Sequence, residues 1–393
     1  MRSPILITVL IVLASAGLVG ASELVPLGPP VTLAGDPWPG DELVRSGVAA
    51  TAVEGGFSVV WHEFGYEFDH VSAVDLSALG IIRGVSSIYE WYPRSLGLPS
   101  CPTVATLGRD RVVVAWTLRE YSPFIIAFRR YSAAGTPIDG AVRVVREPLG
   151  VVFTADCPAA AGNEDGAFAL AWNAGLSPYR AQAQGFHPTG ERATPILELA
   201  TASGKSGPPA LGLDRSGRIF LAADDLVGAV WGERFSATGA PLGGPFRIGR
   251  GGGEVALAPV PSGGFLVAWS RAEAGGRQIL LRHYGANGRP LELPRAVSRT
   301  KRFDRPALRV DRQGRPVLFW IDENRHLVGR LFEADLAPAG GLTDLGAVGS
   351  THVWRERVGL ALLGRRLLAV WLGPALEGSG NPPLLGQLLD IRP

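Results

Sequence analysis

Apolar and polar positions along this chain repeat in one pattern: a continuously apolar segment ending in Trp, followed by a segment that alternates. One copy is "GGFLVAWSRAEAGGRQILLRHYGANGRPL" (residues 263–291), and "GAFALAWNAGLSPYRAQAQGFHPTGER" and "GRPVLFWIDENRHLVGRLFEADLAPAG" are others. The first segment indicates a strand buried between two sheets. The second indicates a half-covered strand. The Gly turns supply the positive φ that a tight hairpin needs.

Seven copies of this unit are predicted, because a Trp ends the apolar strand in six of them and Ala223 stands at the same place in the double interval that remains. The copies recur with a period of roughly 47 to 56 residues, which is in the range of propeller blades. Each copy also has a strand before and a strand after this pair, and no segment shows a sustained helical period. The sequence therefore predicts an all-β fold, a seven-bladed β-propeller of four-stranded antiparallel blades. The strand-end Trp residues are Trp61, Trp116, Trp172, Trp269, Trp320 and Trp371.

The two ends of the chain predict how the ring closes. The last copy stops after its third strand, "PPLLGQLLDIRP", whereas "PLGPPVTLAG" (residues 26–35) matches the fourth-strand segment "PLGGPFRIG". Residues 26–35 are therefore expected to complete blade 7, which favours a closed ring over an open solenoid. The predicted single domain spans residues 22–393. Its blades lie at approximately residues 45–91, 100–146, 156–200, 207–249, 253–298, 304–348 and 356–393.

These repeats resemble the secreted bacterial β-propeller repeats of the type VVAW…I…QRF…G.P.G, and "LDRSGRIFLAADD" is distantly similar to the NHL type. The resemblance extends over all seven copies and implies the propeller fold. It implies no single function, because such propellers include hydrolases, lyases, lectin-like modules and scaffolds. The turns "DRSG" and "DRQG" carry one acid each, which predicts turn chemistry rather than the oxygen-rich ladder of calcium repeats.

Composition and the first residues indicate an exported protein. Residues 1–21 contain one Arg, an apolar run and then small residues, which predicts a secretory signal peptide cleaved near Ala21. The mature chain would be soluble in the periplasm or outside the cell, and no later apolar run is long enough to predict a membrane span. A net charge of +2 argues against nucleic acid or an anionic membrane as the obligate partner.

Local motifs for chemistry are few. The six His residues lack zinc-ligand spacing, and there is no G-x-S-x-G elbow or phosphate loop, so we expect no metal and no cofactor. Carboxylates do recur just beyond the strand-end positions, on one predicted rim. They could serve glycoside chemistry, but we favour the plainer interpretation that loops leaving a buried strand need polar residues. These acids are Glu63, Glu120, Asp224, Asp225, Glu273, Asp322, Glu323 and Glu377.

Three Trp residues outside the repeat predict a ligand face. Trp38, Trp91 and Trp354 fall in the connections between blades 7 and 1, 1 and 2, and 6 and 7, which share one face with the loops between second and third strands. Aromatic side chains rimmed by polar groups suit a sugar or a peptide, although they could equally form a lid. The predicted ligand-binding residues are Trp38, Phe64, Tyr66, Tyr89, Trp91, Tyr92, Tyr121, Trp354, Glu63, His70, Arg94 and His352.

The expected function is that of a non-catalytic binding or scaffolding propeller whose ligand is a protein, a peptide or a glycan. The alternative is a glycan-active hydrolase or lyase with its site on the same face or in the channel. The sequence does not indicate an oligomeric state.

The two cysteines stand at equivalent places, in "SCP" and "DCP" at the starts of neighbouring inner strands. An exported compartment permits a bond between Cys101 and Cys157. Inner strands of adjacent blades are not hydrogen-bonded to each other, so their Cα atoms could lie beyond the ~7 Å that a disulfide tolerates. We favour the disulfide, and two buried thiols are the alternative.

Overall fold

The computed structural model describes residues 22–34, 44–64, 69–91, 100–119, 124–145, 158–175, 179–273, 276–300, 306–349, 358–375 and 382–392. These residues form 29 strands in seven antiparallel sheets, and they contain no helix. The inner strands contact one another in cyclic order, and the seventh returns to the first. The predicted ring of seven four-stranded blades is therefore confirmed.

Blades 1 to 6 each consist of four consecutive strands, named here from the channel outwards. The strands are, in blade 1, β3 (Val44–Val53), β4 (Gly56–Phe64), β5 (Asp69–Ser77) and β6 (Ile82–Trp91); in blade 2, β7 (Ser100–Leu107), β8 (Arg111–Arg119), β9 (Phe124–Ser132) and β10 (Arg143–Val145); in blade 3, β11 (Ala159–Gly162), β12 (Phe168–Ala174), β13 (Arg180–Phe186) and β14 (Leu197–Glu198); in blade 4, β15 (Ala210–Leu213), β16 (Ile219–Asp224), β17 (Ala229–Phe235) and β18 (Phe246–Arg250); in blade 5, β19 (Val255–Pro259), β20 (Phe265–Glu273), β21 (Gly276–Tyr284) and β22 (Arg295–Thr300); in blade 6, β23 (Ala307–Val310), β24 (Pro316–Ile321), β25 (His326–Phe332) and β26 (Pro338–Ala347).

Blade 7 combines the two ends of the chain. Its three inner strands are β27 (Gly359–Leu363), β28 (Arg366–Leu372) and β29 (Leu384–Arg392), and its outer strand is made of β1 (Glu23–Pro26) and β2 (Val31–Ala34), both antiparallel to β29. The predicted closure is confirmed.

The closing strand differs from the prediction in its bounds. It begins at Glu23 rather than at residue 26, and it is interrupted between β1 and β2. Pro29 and Pro30 lie in the interruption and have no N–H to give to a ladder. Side-chain and backbone bonds hold the interrupted part, since Leu27 N–H donates to Leu388 O at 2.9 Å and Gln387 Nε2 donates to Gly28 O at 2.6 Å.

The strand-end Trp residues join neighbouring blades. All six are at most 1% exposed, as the repeat predicts. Trp269 Nε1 donates to Arg250 O at 3.1 Å and Trp371 Nε1 donates to Ala347 O at 3.3 Å, in each case on the outer strand of the preceding blade. Each of these indoles therefore both fills the space between two sheets and bonds to the earlier sheet.

Blade 4 lacks a Trp at the strand-end position, but it has one at the opposite position of the third strand. Ala223 occupies the strand-end position and is fully buried, and Trp231 lies opposite it on β17. The Trp231 indole donates to Asp225 Oδ2 at 3.1 Å. In blade 4 the large side chain therefore lies on the third strand instead of the second.

The acids of the turns between first and second strands act locally. Asp214 Oδ1 accepts the N–H groups of Ser216 and Arg218, both at 2.9 Å, and its Oδ2 pairs with Arg218 Nε at 2.7 Å. Asp311 makes the same three bonds in blade 6. These carboxylates close turns, in agreement with the interpretation of "DRSG" and "DRQG" as turn chemistry.

The predicted signal peptide, residues 1–21, lies outside the described residues and stays a prediction. In the part of the chain that the structure describes, no helix has the length and apolarity needed to span a bilayer.

Candidate functional site

The residue after each strand-end position defines one face of the ring, which we name the upper face. At this face, the residues just before an inner strand donate hydrogen bonds to the last residues of the second strand of a blade. Gly252 N–H donates to Ser270 O at 3.3 Å, and Gly349 N–H donates to Leu372 O at 2.9 Å. The connections between blades and the hairpins between second and third strands therefore share this face, as predicted. The defining residues are His62, Thr117, Asn173, Asp224, Ser270, Ile321 and Leu372.

Just below the upper face lies a buried polar layer. The defining residue is polar in blades 1 to 5 and at most 3% exposed in each, whereas it is apolar in blades 6 and 7. Sequence reasoning missed this layer because it followed acids farther along the hairpins. The signal was present, since a polar residue directly follows the strand-end position in five of the seven copies.

Blade 1 extends the layer with a charged network. Arg45 is 1% exposed, and its Nε donates to Glu63 Oε1 at 2.7 Å. Ser72 Oγ donates to the other oxygen of Glu63 at 3.1 Å, and Arg45 Nη1 donates to Pro382 O of blade 7 at 3.2 Å. The network therefore fixes blade 7 to blade 1 at the upper face.

The predicted site residues Glu63 and His70 lie in strands. We expected them in the loop between second and third strands, but they stand opposite each other on β4 and β5, and β4 continues to Phe64. The hairpin is longer than expected because polar residues that suggested a loop are bonded within the sheet. Glu63 contributes to the floor of the upper face through its pairing with Arg45.

The other predicted site residues divide into two groups. Phe64, Tyr89 and Trp91 lie in described strands, and Trp91 ends the outer strand of blade 1 opposite Asp69, rather than lying in the connection to blade 2. Outside the described residues are Trp38, Tyr66, Tyr92, Arg94, Tyr121, His352 and Trp354. Their gathering on the upper face stays a prediction.

Three of the described acids beyond the strand ends, Glu273, Asp322 and Asp225, are engaged in their own hairpins. Glu273 lies in β20 and pairs with Arg271 at 2.5 Å. Asp322 Oδ1 accepts the N–H groups of Asn324 and His326, both at 2.9 Å, and Asp225 caps its turn in the same way. These bonds agree with the interpretation that the ends of buried strands need polar residues.

Asp224 differs from these three acids. It is 3% exposed, its Oδ2 accepts Gly253 N–H at 3.1 Å, and its Oδ1 has no hydrogen-bond partner among the described residues. Oδ1 faces Gly207, where a Cβ would clash with it. Burial raises the pKa of Asp224, the more so because Asp225 is adjacent.

Replacing Asp224 with Asn is expected to raise stability at neutral pH by about 1 kcal/mol, because it removes the charge of a buried carboxylate while keeping the shape of the side chain. A carboxyl whose pKa is raised by folding destabilises the native state increasingly as pH rises above its ordinary 3.8, so the difference from the parent should shrink toward pH 4. Thermal unfolding between about pH 4 and 8 measures this. The control Asp225→Asn should destabilise, since both Asp225 oxygens accept bonds; a less stable D224N at pH 7 would contradict the argument.

A central channel opens within the ring of inner strands. Its cavity of about 190 Å³ is lined by all seven inner strands or the residues just before them, mostly with Ala, Val, Leu and Pro side chains. Glu254 and Arg309 are the charged residues of the described lining. Among the described residues, no group of His, Cys, Asp and Glu is arranged to hold a metal ion.

Comparison with known proteins supports the fold. No protein-family model and no curated protein matches the chain. Among solved structures, a protein of unknown function from Dyadobacter fermentans is 12% identical, with a TM-score of 0.53 over 94% of this chain and 99% of the other. The WD40 domain of Toxoplasma gondii coronin is 12% identical, with a TM-score of 0.53 over 88% and 81%. The chain is a β-propeller. The polysaccharide lyase Uly1 also resembles this propeller, with 8% identity and a TM-score of 0.52 over 88% and 90%. At these identities the likeness concerns the fold alone.

Proposed function

We propose that this propeller is an exported binding module that takes a glycan or a peptide on the upper face, over blades 7, 1 and 2. The observation that carries the proposal is the ion pair between the buried Arg45 and the part-buried Glu63. Arg45 is the second residue of β3, directly after the connection with Trp38, and Glu63 precedes the loop with Tyr66. The pair therefore anchors both predicted aromatic segments at their bases.

Energetics support a positioning role for this network. An ion pair largely removed from water contributes little net stability compared with apolar packing, so we infer that this one serves to fix a geometry. Recognition sites need this kind of rigid support, because loose side chains lose affinity when they are ordered. The bond from Arg45 to Pro382 O extends the support to blade 7.

The alternative, a glycan-active hydrolase or lyase, has one observation in its favour. Asp224 combines burial with a raised pKa, as a general acid does. It lies in blade 4, away from the predicted aromatic sector. A catalytic site also needs a second ionisable group converging on the same pocket. Release of shorter products from a bound glycan, abolished by Asp224→Asn, would favour this alternative.

The binding proposal is tested by applying the protein without residues 1–21 to glycan and peptide arrays and measuring the affinity of any ligand by calorimetry. Trp38→Ala should weaken binding about tenfold or more, as truncation of an aromatic anchor does. The matched control is Tyr179→Ala, at the start of a third strand in blade 3, which should bind as the parent does. Absence of any ligand, or equal losses in the two variants with unchanged melting, would contradict the proposal.

If the protein is exported, its two cysteines can form a disulfide bond. Cys101 is fully buried, and the described residues contain no free cysteine. Cys157 lies outside them, so the Cys101–Cys157 bond stays a prediction. Alkylation of the denatured, unreduced protein should label neither residue in mass spectrometry, whereas a reduced control should be labelled at both. Labelling of both without reductant would mean two buried thiols.

A further inference from the structure

Arg309 crosses the central channel. It lies on β23, the inner strand of blade 6, and its side chain lines the cavity. Nη1 donates to Leu308 O at 2.9 Å, and Nη2 reaches Ala50 O at 3.5 Å on the inner strand of blade 1. Because blade 7 stands between blades 6 and 1, the guanidinium extends past one whole blade.

The positive charge of Arg309 is not balanced by an ion pair within the described residues. Burial alone lowers its pKa, to about 10, and no nearby charge contributes, so the group stays protonated at neutral pH. The two buried arginines of the described chain differ in this respect, since Arg45 pairs with Glu63 and Arg130 pairs with Asp139 at 2.5 Å. The two bonds of Arg309 to carbonyl groups leave part of its five-donor fork available.

The surroundings of Arg309 narrow the chemistry of a ligand. A cavity of about 190 Å³ is far above the roughly 10–15 Å³ that one water needs. A planar guanidinium matches a carboxylate with two parallel bonds. The lining is otherwise small and apolar, and Glu254 in the same lining disfavours a second negative charge. These features together fit a single carboxylate with an apolar body.

We propose that the central channel binds a small aliphatic monocarboxylate, with the carboxylate held by Arg309 and the apolar part among the inner strands. This site is separate from the sector over blades 7, 1 and 2, and the proposal does not depend on the function proposed above. It assigns a partner to a positive charge of the channel lining that no carboxylate among the described residues balances.

The test is titration of the protein with sodium butyrate, compared with sodium chloride and sodium phosphate at equal ionic strength. Butyrate should raise the melting temperature with saturation, and calorimetry should give its dissociation constant. Arg309→Gln should bind butyrate about 10 to 100 times more weakly, as loss of a charge-assisted bond does. The control Arg289→Gln, which removes the same charge at an exposed turn, should bind as the parent does.

Three results would overturn the proposal. One is the absence of a saturable effect of butyrate. Another is an equal or larger effect of chloride or phosphate, which would identify a general anion site. The third is unchanged affinity in R309Q. If that variant does not fold, Arg309→Lys serves instead: it keeps the charge without the fork and should bind more weakly than the parent, so parental affinity in R309K would also overturn the proposal.

Discussion

Deleting residues 22–34 is expected to destabilise the protein by about 5 kcal/mol or more, because it removes two buried leucines together with a whole outer strand. Leu24 is 8% exposed and Leu33 is 5% exposed, and each belongs to a different core cluster of blade 7. The deletion also leaves β29 with an unpaired edge, which promotes aggregation. Thermal unfolding and light scattering would measure both effects.

The control for this deletion moves the segment instead of removing it. Glu23 stands opposite Arg392, so residues 22–34 appended after residue 393 through a short turn can pair with β29 in the same register. This permuted protein should melt close to the parent. A simple deletion that melts as the parent does would show that the closing strand is dispensable.

Trp269→Ala is expected to cost about 3 to 5 kcal/mol, as other large core truncations do. The indole is 1% exposed and bonds to Arg250 O, so the change leaves a cavity and an unpaired carbonyl group between blades 4 and 5. Chemical denaturation would give the difference. Trp38→Ala, in a predicted surface connection, should cost clearly less, and equal losses would mean that one of the two is misassigned.

Gly249 offers an internal check on Trp269. A Cβ at Gly249 would lie 2.7 Å from Cζ2 of the Trp269 ring. Gly249→Ala should therefore destabilise the parent but have a much smaller effect in W269A, where the ring is absent. Strictly additive losses in the double variant would show that the two residues do not touch in solution.

The repeat predicted the blades because its Trp position is set by contact with the neighbouring sheet rather than by local loops. The same reasoning located the closing strand, since residues 26–35 share the outer-strand pattern. It missed β1, whose four residues "ELVP" carry no repeat signature and pair with the far end of the chain. The bounds of an interrupted strand such as this one depend on its pairing with β29, which lies at the other end of the sequence.

The candidate site was less predictable because its contacts join distant positions. Glu63 and His70 looked like loop residues, since polar side chains near a turn usually face solvent. Arg45, 18 positions before Glu63, draws the carboxylate into the sheet instead. The position of Arg309 in the channel was harder still to predict. Its bond to Ala50 O joins residues 259 positions apart, and no repeat pattern in the sequence indicates this contact.

Closure by the first strands also has a kinetic consequence. The bond from Gln387 to Gly28 joins residues 359 positions apart. At synthesis rates of about 5–20 residues per second, roughly 20 to 70 s pass between the synthesis of β1 and β2 and the synthesis of their partner β29. The entropic cost of closing the loop grows slowly with its length, by about 0.6 kcal/mol for each doubling, so this closure costs only slightly more than one over half the distance. During synthesis, ring closure therefore cannot occur before β29 is made, and until then the ring presents an open sheet edge to other chains.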